Sequence, residues 1–163
     1  MIIRSEKPGD EDRIYEVTKA AFATMPFSDG TEQDRVNKLR ADGDLTLSLV
    51  AEIDEIIMGH IAFSPVFFDA VYNSWYGLGP VSASPERQKQ GIGKALIEAG
   101  LDELKSLGAK GCVLIGDPGY YHRFGFVADG RISYRDLPSE YVQWRSLGSE
   151  KPSGILTYSP GLE

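Results

Sequence analysis

The chain has 163 residues, a length that suits one domain with its own core and needs neither disulfide nor metal to hold it. Apolar residues make up 42% and charged residues 25%, so a globular fold is expected throughout residues 1–163, with disorder confined to the ends. A formal charge of −7 argues against nucleic acid as a partner, because phosphate binding draws on clustered Lys and Arg; it agrees with cationic substrates.

The first residues, Met-Ile-Ile-Arg-Ser-Glu, lack the basic end and apolar stretch of an export signal, and no run approaches bilayer-spanning length. A cytoplasmic location without a membrane partner is the expectation. The same residues predict a short strand. Pro8-Gly9-Asp10 interrupts it, and Ile14, Val17, Ala20 and Ala21 then recur at helical spacing. Asp10, Glu11 and Asp12 stand at the start of that helix, where the dipole favours negative charge. Pro26 to Gly30 predicts a loop and Thr31 to Arg40 a more polar helix, a candidate lid, ending near Gly43.

Leu45 to Glu52 and Ile56 to Phe63 predict two strands of a hairpin turned at Asp54 and Glu55. A further strand runs from about Trp75 into Val81; after a charged turn come a helix from Ile92 to Leu107, a stop at Gly108 and a strand from Gly111 to Ile115. Strand, helix and strand in succession form a right-handed crossover, so the strands at Val81 and Val113 are expected to be parallel. Cys112 lies inside the last of them and reads as packing rather than as a reactive thiol. The two histidines, His60 and His122, come with no paired cysteines, so no metal is expected.

The turn before the long helix, Gln88-Lys-Gln-Gly91-Ile-Gly93, has two glycines whose backbone can take left-handed dihedrals and approach a ligand closely. A P-loop would need a glycine where Gln88 stands and Ser or Thr where Ala95 stands; the dinucleotide fingerprint would need a small residue in place of Leu96. What remains is an anion site made by the main-chain N–H groups of Gln88, Lys89, Gln90, Gly91, Ile92, Gly93 and Lys94 at the positive end of a helix, with Arg87 and Lys89 adding charge. A glycine-bearing turn that binds nothing is the competing reading of these residues.

This turn resembles the Q/R-x-x-G-x-G/A signature of the GNAT N-acetyltransferases, and the preceding "LGPVSASPE" is similar to the fourth strand of that superfamily. "GDPGYYHRFGF", residues 116–126, ends in Tyr121-His-Arg-Phe-Gly-Phe126, which resembles the superfamily's Tyr-x-x-x-Gly-Phe pattern. The combination looks closest to a branch of small bacterial acetyltransferases. The resemblance implies an α/β fold with a mixed, splayed central sheet flanked by helices, acting on acetyl-coenzyme A (acetyl-CoA). It implies coenzyme contacts from Val81, Ser82 and Ala83 on the strand edge, from Gln88 to Lys94 at the turn, and from Asp117, Tyr121 and Phe124 in the second motif.

In acyl transfer by direct attack, an amine displaces a thiolate. A phenol with an ordinary pKa near ~10 stays protonated at neutral pH and can serve the leaving sulfur. Tyr121 is assigned that role, with Tyr120 as the substitute; the developing oxyanion needs a fixed donor, and the resemblance implies a main-chain N–H near Val81 for it. Trp75 to Ser84 contains no acidic residue, so the strand glutamate that some members use as a base does not transfer; Asp29, Glu32 and His60 are candidates. Residues 63–77 are expected to divide between acceptor groove and hairpin core. The polar excursion from Gly130 to Lys151 is long enough to cover the acceptor site or to form a homodimer contact, and Ser153 to Ser159 reads as the last strand. The acceptor is an amine of a small molecule or peptide; the alternative from another class is a non-catalytic acyl-CoA sensor.

Overall fold

The structure is a computed structural model describing residues 1–163. In chain order it contains β1 (Ile2–Ser5), α1 (Glu11–Phe22), α2 (Glu32–Asp42), β2 (Leu47–Ile53), β3 (Ile56–Phe68), β4 (Trp75–Ala83), α3 (Ile92–Ser106), β5 (Gly111–Ile115), α4 (Pro118–Tyr121), β6 (Ile132–Ser133), β7 (Val142–Ser146) and β8 (Gly154–Tyr158). The sheet runs β1-β2-β3-β4-β5-β7, while β8 pairs with the far end of β3 and with β6. Along the main path only β4 and β5 are parallel, joined by the α3 crossover. The fold is a mixed α/β sheet, not closed, with helices on both faces.

Local chemistry accounts for most of these boundaries. Asp54 and Glu55 both take positive φ (53° and 65°), the pair of left-handed residues that a two-residue hairpin turn requires. Gly43 and Gly108 end the helices in left-handed conformations. On α1 the buried stripe is Ile14, Val17, Thr18 and Ala21, so Thr18 takes the inward place predicted for Ala20. Ile14, Val17, Val36, Val50 and Ile57 form one core on the α1–α2 face. Leu49, Ile61, Phe63, Leu96 and Leu101 belong to a larger core under α3 on the other face. Gly59 and Gly100 have no Cβ, which lets β3 and α3 approach: a Cβ on Gly59 would overlap Ile92, and one on Gly100 would overlap Phe63.

Three expectations need correcting. The excursion from 130 to 151 is not only a cover, because it contains β7, which pairs antiparallel with β5 from Gly111↔Ser146 to Ile115↔Val142. Polar Gln143 sits in that strand, buried and donating to the Gly116 carbonyl at 2.9 Å, and so masks the strand's apolar character. Residues 63–77 do not line the groove: Phe63, Val66 and Trp75 are buried as hairpin core, and the turn from Asp69 to Asn73 is exposed. Helix α2 is not a free lid: Val36 and Leu39 fix it in the core.

A polar chain crosses the α1–α2 side of the sheet. Arg40 donates to both carboxylate oxygens of Glu6, at 2.9 Å each; Glu6 accepts from Ser48, and Ser48 Oγ lies 2.8 Å from His60 Nε2. Because Ser48 spends its one proton on Glu6, His60 Nε2 is the donor to Ser48, and Nδ1 is left bare, buried and without a partner. Burial opposes ionisation of Glu6, but its bonds to Arg40 and Ser48 prevail and its pKa is lowered. Burial pushes the His60 imidazole down to about 4 from the ordinary 6.5, with Glu6 opposing and Arg40 assisting. An unfolded chain takes up this proton as pH falls through 6.5; the folded chain waits until about 4. Stability is therefore expected to fall by roughly 1 kcal/mol per pH unit across that window. Urea midpoints at pH 7 and pH 5 should differ in the wild type, and clearly less in His60→Gln.

Candidate functional site

The site begins where β4 and β5 stop pairing. Their parallel register runs Trp75↔Gly111, Tyr76↔Cys112, Gly77↔Val113 and then ends. On the other side of β4 the register with β3 steps from Phe63↔Leu78 to Ile61↔Val81, so Gly79 and Pro80 together oppose Ala62. That extra residue is a bulge, which bends a strand, and Pro80 has no N–H to give a neighbouring strand. The result is a cleft of about 960 Å³ between the diverging strands.

The orientation of β4's main chain follows from its pairing. Ser84 N–H donates to the Met58 carbonyl at 2.7 Å, and antiparallel neighbours alternate between bonded and non-bonded pairs. His60↔Ser82 is thus a bonded pair, whereas Ile61↔Val81 and Gly59↔Ala83 are not. The N–H and C=O groups of Val81 and Ala83 accordingly point away from β3, into the cleft. Gln88 Nε2 approaches the Ala83 carbonyl at 3.4 Å from that side. An extended ligand could add to this edge like another strand.

At one end of the edge lies the glycine turn. Residues 85–87 form a 3-10 turn, Gln88 is extended, Lys89 has φ 65°, and Gly91 at φ 82° precedes the first turn of α3. The side chains of Gln88, Lys89, Gln90 and Lys94 are exposed; Ile92 is buried, holding the turn on the core through its side chain while its amide stays at the helix end. The arrangement presents N–H groups and a helix N-terminus to an anion.

The two tyrosines, which the sequence cannot rank, lie at different depths. A Cβ on Gly93 would stand 3.8 Å from the Tyr120 hydroxyl, so Tyr120 reaches toward the glycine turn. Tyr121 packs deeper: a Cβ on Gly116 would come within 2.6 Å of its ring, and its ring meets Tyr120 edge-on at 5.0 Å. Its hydroxyl makes no hydrogen bond within the protein, and the residue lines the cleft. Burial pushes the phenol up to about 12, with Tyr120 and Asp117 adding to the effect, so it is a donor at any neutral pH. Asp117 caps α4, accepting from Gly119 N–H at 2.9 Å. Phe124, expected at the ligand, is instead 6% exposed in the core, where it packs against both tyrosines at 5.6 and 6.4 Å.

Other candidates separate as clearly. Cys112 is fully buried and burial raises its thiol pKa, which excludes it as a covalent carrier. His122 is exposed, with Nδ1 near the Pro118 carbonyl. Asp29, held down to about 2 by bonds from Thr31 and Arg35, is a turn-forming group. The cleft also takes Phe22, Met25, Phe27 and Tyr141, none singled out from the sequence; an aromatic Phe27 inside the segment that reads as a loop, Pro26 to Gly30, is the signal that points to them, and it is 77% exposed. A smaller cavity of about 310 Å³ shares Leu78, Gly79, Pro80 and Ile115 with the cleft and is lined on its far side by Glu32, Arg35 and Arg135.

Comparison with known proteins agrees with this geometry. Residues 12–126 match the model of the Acetyltransferase (GNAT) family. The chain is 39% identical over 127 residues to the Escherichia coli K12 protein named as the uncharacterized N-acetyltransferase YhbS, covering 77% of this chain and 73% of that one. A GNAT family acetyltransferase from Brucella melitensis, solved in complex with acetyl-CoA, superposes with a TM-score of 0.90 at 46% identity, covering 99% of this chain and 97% of its own. YhbS from E. coli, solved in complex with CoA, gives 0.90 at 31% identity, with 99% and 91% covered.

Packing of Tyr121 on Gly116 makes a stability prediction. Gly116→Ala should force the ring to move and lower stability by about 1–3 kcal/mol, the usual range for overpacking. Chemical denaturation checks it, and a midpoint equal to wild type would mean that the ring is not held there.

Proposed function

The chain belongs to the GNAT acetyltransferase family, and from that premise we propose that it is an acetyl-CoA-dependent N-acetyltransferase that passes the acetyl group directly to an amine of a small molecule or peptide. The observation that carries this reading is the unpaired edge of β4, which leads from the amide-rich turn at Gly91 to the bulge at Gly79 and Pro80, with Tyr121 lining the same cleft.

The residues present fit the coenzyme. The N–H groups from Gln88 to Lys94 suit a diphosphate, and Val81 and Ala83 offer main-chain partners to an amide-bearing arm. Lys89 and Arg87 add positive charge near the turn of an otherwise acidic chain. When bound, acetyl-CoA supplies an acetyl thioester and a thiolate leaving group.

Val81 N–H is the donor for negative charge developing on the carbonyl oxygen; being backbone, it is already oriented and reorganises little. Tyr121 gives its proton to the departing sulfur and is reprotonated from solvent. A C–N bond replaces a C–S bond, and an acceptor that enters as ammonium gives up two protons, of which the sulfur takes up one. Cys112 is too buried for an acetyl-enzyme route, which favours attack within a ternary complex.

Isothermal calorimetry should register acetyl-CoA binding, with ADP competing more weakly than the whole coenzyme. Tyr121→Phe should lower kcat by about 10²- to 10⁴-fold while leaving acetyl-CoA affinity nearly intact, and Tyr120→Phe should do far less. Equal turnover in Tyr121→Phe would remove its role as acid. Tight binding with no thiol released for any amine would favour a sensor over an enzyme.

A further inference from the structure

Two segments remote in sequence meet on the far side of the β4 bulge. The first turn of α2 brings Glu32 and Arg35, and the segment after β6 brings Tyr134 and Arg135, all to the 310 Å³ cavity that abuts Gly79 and Pro80. The cavity is at the small end of ligand sites, ~300–1,000 Å³, and its charges are of both signs.

Those charges are only partly spent. Glu32 accepts from Ser28 Oγ at 2.6 Å through one oxygen, and its second oxygen has no partner within the protein. Arg35 is fixed by Asp29 at 2.7 Å, Thr31 at 3.1 Å and the Leu162 carbonyl at 3.3 Å, which uses one hydrogen on each guanidinium nitrogen and leaves one on both Nη1 and Nη2. Arg135 gives only Nη2 to Glu163, at 2.7 Å, and its guanidinium stacks 4.9 Å from the Tyr134 ring. Its backbone is held at φ 49°, a conformation that costs a non-glycine residue and marks positions where placement matters more than ease.

A ligand complementary to this lining has a cationic end for Glu32 and an anionic end for two guanidiniums, which match a carboxylate's geometry. Resting on the transferase reading above, we propose that the acceptor is a small zwitterionic amine of the amino-acid type, with its carboxylate between Arg35 and Arg135 and its ammonium drawn in by Glu32, to which it gives up a proton before the free amine turns to the Gly79 and Pro80 side of the cavity. Linear polyamines have no carboxylate to offer the two guanidiniums and so forgo those contacts. Specificity is thus set by the α2 turn and the segment after β6, while the chemistry stays with β4 and Tyr121.

The test is thiol release from acetyl-CoA with the full chain, using free α-amino acids, their methyl esters, putrescine and spermidine. At least one free amino acid is expected to exceed its own ester and both polyamines in kcat/KM by about tenfold or more, the scale of one charge-assisted hydrogen bond. In Arg135→Gln, and separately in Arg35→Gln, that preference should shrink about tenfold through KM, with acetyl-CoA affinity measured by calorimetry unchanged. Preference for an ester or polyamine, or a preference for free amino acids that survives both substitutions, overturns the proposal and leaves the transferase standing. No thiol release with any amine, despite coenzyme binding, overturns the transferase reading instead.

Discussion

Everything at the site depends on β4 parting from β5 after Gly77. A strand inside a sheet normally has both edges paired, and leaving buried main-chain groups unmade costs about 1–3 kcal/mol each. Here the bulge at Gly79 and Pro80 turns the strand while β3 holds its other edge through the Ile61↔Val81 to Gly59↔Ala83 register. The unpaired groups face an open cleft, where water or a ligand can satisfy them. Tertiary packing tolerates the exposed edge because α3 and β3 meet closely at Gly59 and Gly100, fixing the glycine turn beside it.

The two faces of the splay divide the work. On the α3 side the main chain dominates, with the N–H and C=O groups of Val81 and Ala83 and the glycine turn beside the cleft. On the α1–α2 side, side chains dominate: Glu32, Arg35 and Arg135 ring the smaller cavity. Tyr121 lines the larger cleft, its ring packed against Gly116, edge-on to Tyr120 and tilted against Phe124, and its hydroxyl makes no hydrogen bond within the protein. The chain Arg40–Glu6–Ser48–His60, buried at its Ser48 and His60 end, ties the ends of β1, β2 and α2 to β3. It supports the sheet opposite Ser82 with no contact on the cleft.

Local sequence determined the helices and most strands, since period, turn residues and glycine stops act over a few positions: Asp54-Glu55, Gly43, Gly108 and the strand Gly111–Ile115 all lie where short-range chemistry puts them. The amide turn and the tyrosine motif were equally legible, because each is one contiguous segment. Tertiary structure alone decided the rest. The pattern did not reveal β7, because its buried Gln143 is satisfied only by the distant Gly116 carbonyl. Tyr120 and Tyr121 are adjacent in the chain, and only the packing of Gly93 and Gly116 against them sets one toward the turn and the other beneath the cleft. The meeting of Glu32 with Arg135 across about a hundred residues is likewise invisible along the chain, because it is the bend of β4 and the return of the segment after β6 that bring them to one cavity.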